Sequence, residues 1–229
     1  LSADASLVVS ALNLGGNFAV ALNNTATPYN QSVNVNGTTV TVNVPAGPYL
    51  RVNATSATLT VQGIGISGSF AFERKQTTPS NLWVVTVAAS GVSFNFGATA
   101  NNILTVTNGS GAFIIRSNGV AGTATATVGL NVPGVTLGGT FTVRINDTAA
   151  AVNETVNVGG SNVAINLTAG PYLQVRGSGV TLGFLGASLT GNFSFEQKTS
   201  QGGSRRITVT ADSVSFNFGT SLVTATNGS

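Results

Sequence analysis

Ala46-Gly47-Pro48-Tyr49-Leu50-Arg51-Val52 occurs a second time in the chain, as Ala169-Gly170-Pro171-Tyr172-Leu173-Gln174-Val175, 123 positions on. The surrounding sequence returns with it. Gly15-Gly16-Asn17-Phe18 answers Gly138-Gly139-Thr140-Phe141, and Gly68-Ser69-Phe70-Ala71-Phe72-Glu73 answers Gly191-Asn192-Phe193-Ser194-Phe195-Glu196, both at 123. Val92-Ser93-Phe94-Asn95-Phe96-Gly97 answers Val214-Ser215-Phe216-Asn217-Phe218-Gly219 at 122, and Thr107-Asn108-Gly109-Ser110 answers Thr226-Asn227-Gly228-Ser229 at 119. The slippage falls at Pro79-Ser80 and near Asn101-Asn102, where loops are expected to absorb it. A chain of this kind is a tandem repeat, and self-similarity at a fixed period outweighs any single residue.

A fainter repeat runs at half that length. Gly111-Ala112-Phe113-Ile114 lines up with Gly170-Pro171-Tyr172-Leu173, Leu137 to Phe141 with Leu189 to Phe193, and Val163 to Leu167 with Val214 to Phe218. The expectation is two units of about 120 residues, each built of two modules of about 60 that need stacked neighbours to bury a core. The first unit covers 1–110 and opens part-way through the repeat; the second covers 111–229. The counterpart of Gly111 to Gly122 is missing from the second copy. Either the fragment is cut there or a neighbouring copy supplies that strand.

Locally the pattern is strand. Val135, Leu137, Phe141, Val143 and Ile145 share odd positions, as do Val163, Ile165 and Leu167. A period of two means one face buried and one face wet. Asn36-Gly37, Asn118-Gly119 and Gly159-Gly160 separate such runs and favour tight hairpins. About five strands per module are expected, mostly antiparallel. The fold class is therefore all-β: tandem repeats of antiparallel strands in an elongated β-stack, sandwich-like or solenoid-like. No helical period of useful length, Pro-rich spacer or charged linker divides the halves.

Composition narrows the function. Charged residues make up 7% of the chain and apolar ones 42%, enough for a core and unlike charge-rich disorder. A net charge of +3 over 229 residues is too dilute to hold a phosphate backbone, so no nucleic-acid partner is expected. Cys, Met and His are all absent, which removes thiolate–imidazole catalysis, zinc sites and disulfides, and leaves little to oxidise outside a cell. No apolar run approaches the length of a transmembrane helix, and no charged, apolar leader opens the chain. A transmembrane β-barrel would want aromatic girdles, which three Tyr and one Trp cannot make. A chain without Met that starts at Leu1 reads as a processed or excised piece of something longer.

The carboxylates do not form a catalytic pair. Of Asp4, Glu73, Asp147, Glu154, Glu196 and Asp212, only Glu73 and Glu196 occupy matching positions. Glycoside hydrolysis needs two carboxylates flanking one bond, so no enzyme and no cofactor are expected. Glu73-Arg74-Lys75 and Glu196-Gln197-Lys198 read either as an inter-unit salt bridge or as solvated strand ends that discourage stray pairing. Asp147 and Glu154 are a candidate calcium pair, although the other copy has Asn24 and Gln31 there. Tyr49 and Tyr172 are candidate sugar-stacking rings, with packing as the plainer reading. The unmatched Trp83 carries little. Thr123-Ala124-Thr125-Ala126-Thr127, Thr39-Val40-Thr41 and Thr58-Leu59-Thr60 form threonine faces, for which β-propensity is sufficient reason. Ten Asn-x-Ser/Thr sequons stand at Asn23, Asn30, Asn36, Asn53, Asn108, Asn146, Asn153, Asn166, Asn192 and Asn227. Three pairs recur and are the candidate glycosylation sites: Asn23 with Asn146, Asn30 with Asn153, and Asn108 with Asn227.

The run Gly-x-Phe-x-Val-x-x-Asn-x-Thr (Gly16 to Thr25, Gly139 to Thr148), then Asn153-Glu154-Thr155-Val156, Ala-Gly-Pro-Tyr-Leu and Gly-x-Phe-x-Phe-Glu resembles tandem repeats of very large bacterial extracellular and cell-surface proteins. The resemblance spans essentially the whole chain and departs at Gln31-Ser32-Val33. It implies spacer or fibre modules with no catalytic residues to carry over. The expected function is a structural repeat module of an extracellular fibre, adhesin stalk or surface coat, whose partners are further copies of the repeat. The alternative is a β module that binds glycans or a solid surface.

Overall fold

A computed structural model describes residues 2–9, 12–61, 64–77, 82–98, 101–158, 160–199, 203–218 and 224–228; within these, the side chains at 2–9, 12–14, 59, 61, 64, 97, 98, 101, 102 and 224–228 are left undescribed. It is all-β. The strands are β1 (Ser2–Val9), β2 (Leu12–Asn23), β3 (Tyr29–Val35), β4 (Thr38–Val44), β5 (Tyr49–Val61), β6 (Ile64–Gln76), β7 (Trp83–Ala98), β8 (Asn101–Arg116), β9 (Gly119–Val132), β10 (Val135–Asn146), β11 (Val152–Val158), β12 (Ser161–Leu167), β13 (Tyr172–Phe184), β14 (Ala187–Thr199), β15 (Arg205–Asn217) and β16 (Thr224–Gly228).

Twelve of them form one antiparallel sheet in the order β1-β2-β5-β6-β7-β8-β9-β10-β13-β14-β15-β16. The other four form two separate hairpins, β3–β4 and β11–β12. Each hairpin is looped out between two sheet strands that pair with each other, β2 with β5 and β10 with β13. An offset of 123 carries β2 onto β10, β3–β4 onto β11–β12 and β5 onto β13.

The irregularities repeat too. The β2–β5 ladder shifts register between Gly15 and Asn17, and the β10–β13 ladder shifts between Gly138 and Thr140. Ser56 (φ 49°) and Gly179 (φ 56°) take the same left-handed backbone at these bulges. The extra residue of a bulge belongs in such conformations. Both Gly-Pro bonds, Gly47-Pro48 and Gly170-Pro171, are cis. Glycine is required at both, because a Cβ at 47 would collide with the Asn23 carbonyl and one at 170 with the Asn146 carbonyl.

The sheet runs without a break through 110/111, which falls inside β8. The half-length repeat matches Val163 to Leu167 of hairpin strand β12 with Val214 to Phe218, mostly in sheet strand β15. Among the described residues, 111–170 hold the end of β8 and all of β9 to β12, and 171–229 hold β13 to β16. Of the positions where the repeat slips, Pro79-Ser80 lies outside the described residues, while Asn101 and Asn102 begin β8.

The core lies between hairpin β11–β12 and one face of the sheet. Val152, Val158, Val163, Ile165 and Leu167 pack on Ala71 of β6, Val84 and Ala88 of β7, Ala112 and Ile114 of β8, and Ala121 of β9. Burying aliphatic side chains of this size stabilises by roughly 1.5–3 kcal/mol each. Ala71, Ala88 and Ala112 are cross-strand neighbours in one rung. Their small side chains let a second β layer settle on the first.

Candidate functional site

The chemistry-bearing residues read from the sequence are spread out and mostly committed to the fold. Glu73 accepts from the Tyr49 hydroxyl at 2.9 Å and pairs with Lys75 at 3.0 Å, within its own unit. Glu196 accepts from Gln174 at 3.1 Å. Neither carboxylate bridges two units. Tyr49 is 5% exposed and offers no open ring to a sugar. Burial, then its bond to Glu73, pushes its phenol pKa up to about 12. Tyr172 packs against the core cluster. Trp83 lies under Arg74, whose guanidinium sits 3.7 Å from the ring centroid.

Among the described residues no group of three or more His, Cys, Asp or Glu comes together. Of the calcium pair, Asp147 is exposed and Glu154 is ion-paired with Arg116. That pair is one of several polar ties holding the hairpin on the sheet. Ser90 of β7 donates to the Val158 carbonyl at 3.1 Å, and Arg51 of β5 donates to the Asn157 carbonyl at 3.1 Å. The hairpin therefore reaches from β10 across to β5. Threonine hydroxyls pair across strands, Thr125 with Thr142 at 3.0 Å and Thr127 with Thr140 at 3.4 Å, instead of forming an unoccupied donor array.

The sequons divide by geometry. Asn146 is fully buried; its Nδ2 donates to the Ala150 carbonyl at 2.8 Å and the Thr168 carbonyl at 2.7 Å. Its Oδ1 accepts from the Thr148 amide at 2.9 Å and the Thr148 hydroxyl at 2.7 Å. Asn23 repeats the network with Thr27, Pro45 and Thr25. In the folded chain these two side chains serve as anchors. The amide nitrogen a glycan would take is spent on pinning the base of each hairpin. Asn30, Asn108 and Asn153 are exposed, and the side chain of Asn227 lies outside those described.

What remains is surface. On the side of the sheet away from hairpin β11–β12, Phe18, Ala54, Phe70, Ala89, Gly111, Ala124, Val143, Val175, Phe195 and Val209 are successive cross-strand neighbours from β2 to β15. Most of this apolar rung is half-buried, and Val209 is largely exposed. An open hollow of about 410 Å³ lies on it between Val87, Val92, Phe113 and Phe141. The chain presents 14030 Å² of accessible surface. A compact monomer of its mass would present roughly 9,600 Å². Apolar patches beyond a few hundred Å² mark interaction sites.

The second surface is hairpin β3–β4. Val33, Val35, Val40 and Val42 occupy the positions of Val156, Val158, Val163 and Ile165 in hairpin β11–β12. Val35 and Val42 are 53% and 38% exposed, whereas Val158 and Ile165 are at 0%. Sequence reading passed over both surfaces. The signal that identifies the second one was the recurrence itself, since the matching face is buried in the other copy.

No family model matches the chain, and no curated protein and no solved structure matches it either.

Proposed function

We propose that the chain is a structural repeat module of an extracellular fibre, adhesin stalk or surface coat, acting by stacking and self-association and without catalysis. The observation that carries this reading is the way the copies are joined. They share one continuous sheet, and the hairpin of the later copy is seated on strands β6 to β9, most of which belong to the earlier one. An array built on this rule grows by adding strands, with each new unit covering part of the one before it. The large apolar surface left open supports the same reading, because a module meant to work alone gains nothing from it. Glu73, Glu154 and Asn146 are engaged in ties and anchors.

Small-angle scattering with negative-stain microscopy tests it. A compact globule of this length has a radius of gyration near ~17 Å. The expected result is a clearly larger value, with rods or filaments on the grid. Round, separate particles near the compact value would refute the structural role.

A further inference from the structure

We propose that the face of hairpin β3–β4 formed by Val33, Val35, Val40 and Val42 is a docking surface for the sheet of another unit of this repeat. The sheet it fits bears small apolar residues where β6 to β9 carry Ala71, Ala88, Ala112 and Ala121. The inference rests on reading the chain as a repeat module and names the surfaces through which such modules meet.

The template is inside the molecule. Hairpin β11–β12 leaves the sheet after β10 and lies back over the strands that precede β10. Hairpin β3–β4 leaves after β2 by the same route. Its base is pinned by the Asn23 network, the equivalent of the Asn146 network, and Gly47 donates to the Thr25 carbonyl as Gly170 donates to that of Thr148. It therefore lies back over the strands that precede β2. Among the described residues only β1 is there. Among the described residues the valines have no counterpart of the β6–β9 face against them, and β3 and β4 are exposed along nearly their whole length.

Chemistry decides what covers these valines. In a second copy of this chain the β6–β9 face is already covered by that copy's own β11–β12. Its other face of matching register is on β14 and β15, where Ser194 stands for Ala71, Arg206 for Val84, Thr210 for Ala88 and Asp212 for Ser90. Seating four valines there would strip water from two charged side chains with no partner supplied by the hairpin. A β6–β9-type face needs no such desolvation, and alanine in the central rung leaves room for the hairpin layer.

The test is hydrogen exchange on two proteins. One is the 229-residue chain. The other is the same full chain with residues 64–123 repeated directly ahead of Leu1, which follows Thr123 in the repeat register. In the shorter chain, at low concentration, the amides of β3–β4 should exchange at least ~10-fold faster than those of β11–β12. In the longer chain that gap should close, β1 should gain protection as it acquires a second partner, and V42D should reopen the gap while the sheet stays protected. Unchanged exchange in β3–β4 of the longer chain overturns the proposal. So does an unprotected β1, which would mean that the repeat register is wrong. Protection of β3–β4 that rises with concentration in the shorter chain also overturns it, by giving that role to a second copy. Microscopy of the same samples separates this from the broader reading: a protected hairpin without filaments supports the docking and counts against the fibre.

Discussion

Replacing Asn146 with Ala removes four hydrogen bonds at one stroke, two donated to the Ala150 and Thr168 carbonyls and two accepted from Thr148. The site is fully buried, so water cannot take over those partners without opening the hairpin base. At roughly 1 kcal/mol net per bond, N146A should cost about 3–4 kcal/mol. For a chain of this size that corresponds to a fall in melting temperature of roughly 10 °C. The assay is a thermal melt followed by circular dichroism, paired with urea unfolding to check that the slope is unchanged. Asn23 makes the same bonds, but its hairpin is not seated on a core, so N23A should cost less than half as much. N146D sharpens the test. Its carboxylate oxygen would face two carbonyl oxygens in a dry site, which raises its folded-state pKa above the usual carboxylate range. The native state then holds the proton more tightly than the unfolded chain, so N146D should grow more stable as pH falls from 7 to 4. A fall of less than about 3 °C for N146A, or equal losses at 23 and 146, would refute the anchor argument.

Ile165→Ala should cost about 2–5 kcal/mol, because it opens a cavity between the hairpin and the sheet, whereas Val42→Ala should stay within about 1 kcal/mol in the same urea titrations. The Tyr49 phenol, raised to about 12 from an ordinary value near 10, contributes stability that is complete below pH 10 and lost as pH climbs through 12. Tyr49→Phe should therefore lose less stability than the parent chain between pH 10 and 12, and an unchanged alkaline profile would contradict the buried Tyr49–Glu73 bond. Secreted from a host that glycosylates, the folded chain should carry sugar at Asn30 or Asn153 and none at Asn23 or Asn146. Peptide mass spectrometry showing a glycan at 146 on folded protein would overturn its placement.

The strands were legible because alternation and turn residues are local. Val163, Ile165 and Leu167 at every second position fix a strand with one dry face, and Asn36-Gly37 fixes a reversal. Where β11 and β12 would go was not legible. Their alternation looks like that of any sheet strand, and their exclusion from the sheet follows from β10 pairing with β13, a choice made across more than twenty residues of intervening chain. The Asn-x-Thr signature shows the same limit. Asn146 and Thr148 spell an acceptor sequon by composition, yet their carbonyl partners at 150 and 168 exist only once the hairpin has folded back. The line from Phe18 to Val209 was likewise invisible, since bulges at Gly15/Asn17 and Gly138/Thr140 shift which residues meet across strands.

The polar ties of hairpin β11–β12 bear on how the protein would respond to force. In an antiparallel meander, tension between the two edges acts along the hydrogen-bond direction, and strands peel away singly with little resistance. Arg51, Ser90 and Arg116 fasten the hairpin to β5, β7 and β8, while its base is fixed at Asn146 in β10. It acts as a stitch sewn across a seam: the strands from β5 to β10 cannot part until it tears. Pulled at its ends, the chain should pay out at low force from β1 to β4 and from β13 to β16, then stop at a single strong event. The spacing of such stitches, one per unit, would set the length of each extension step.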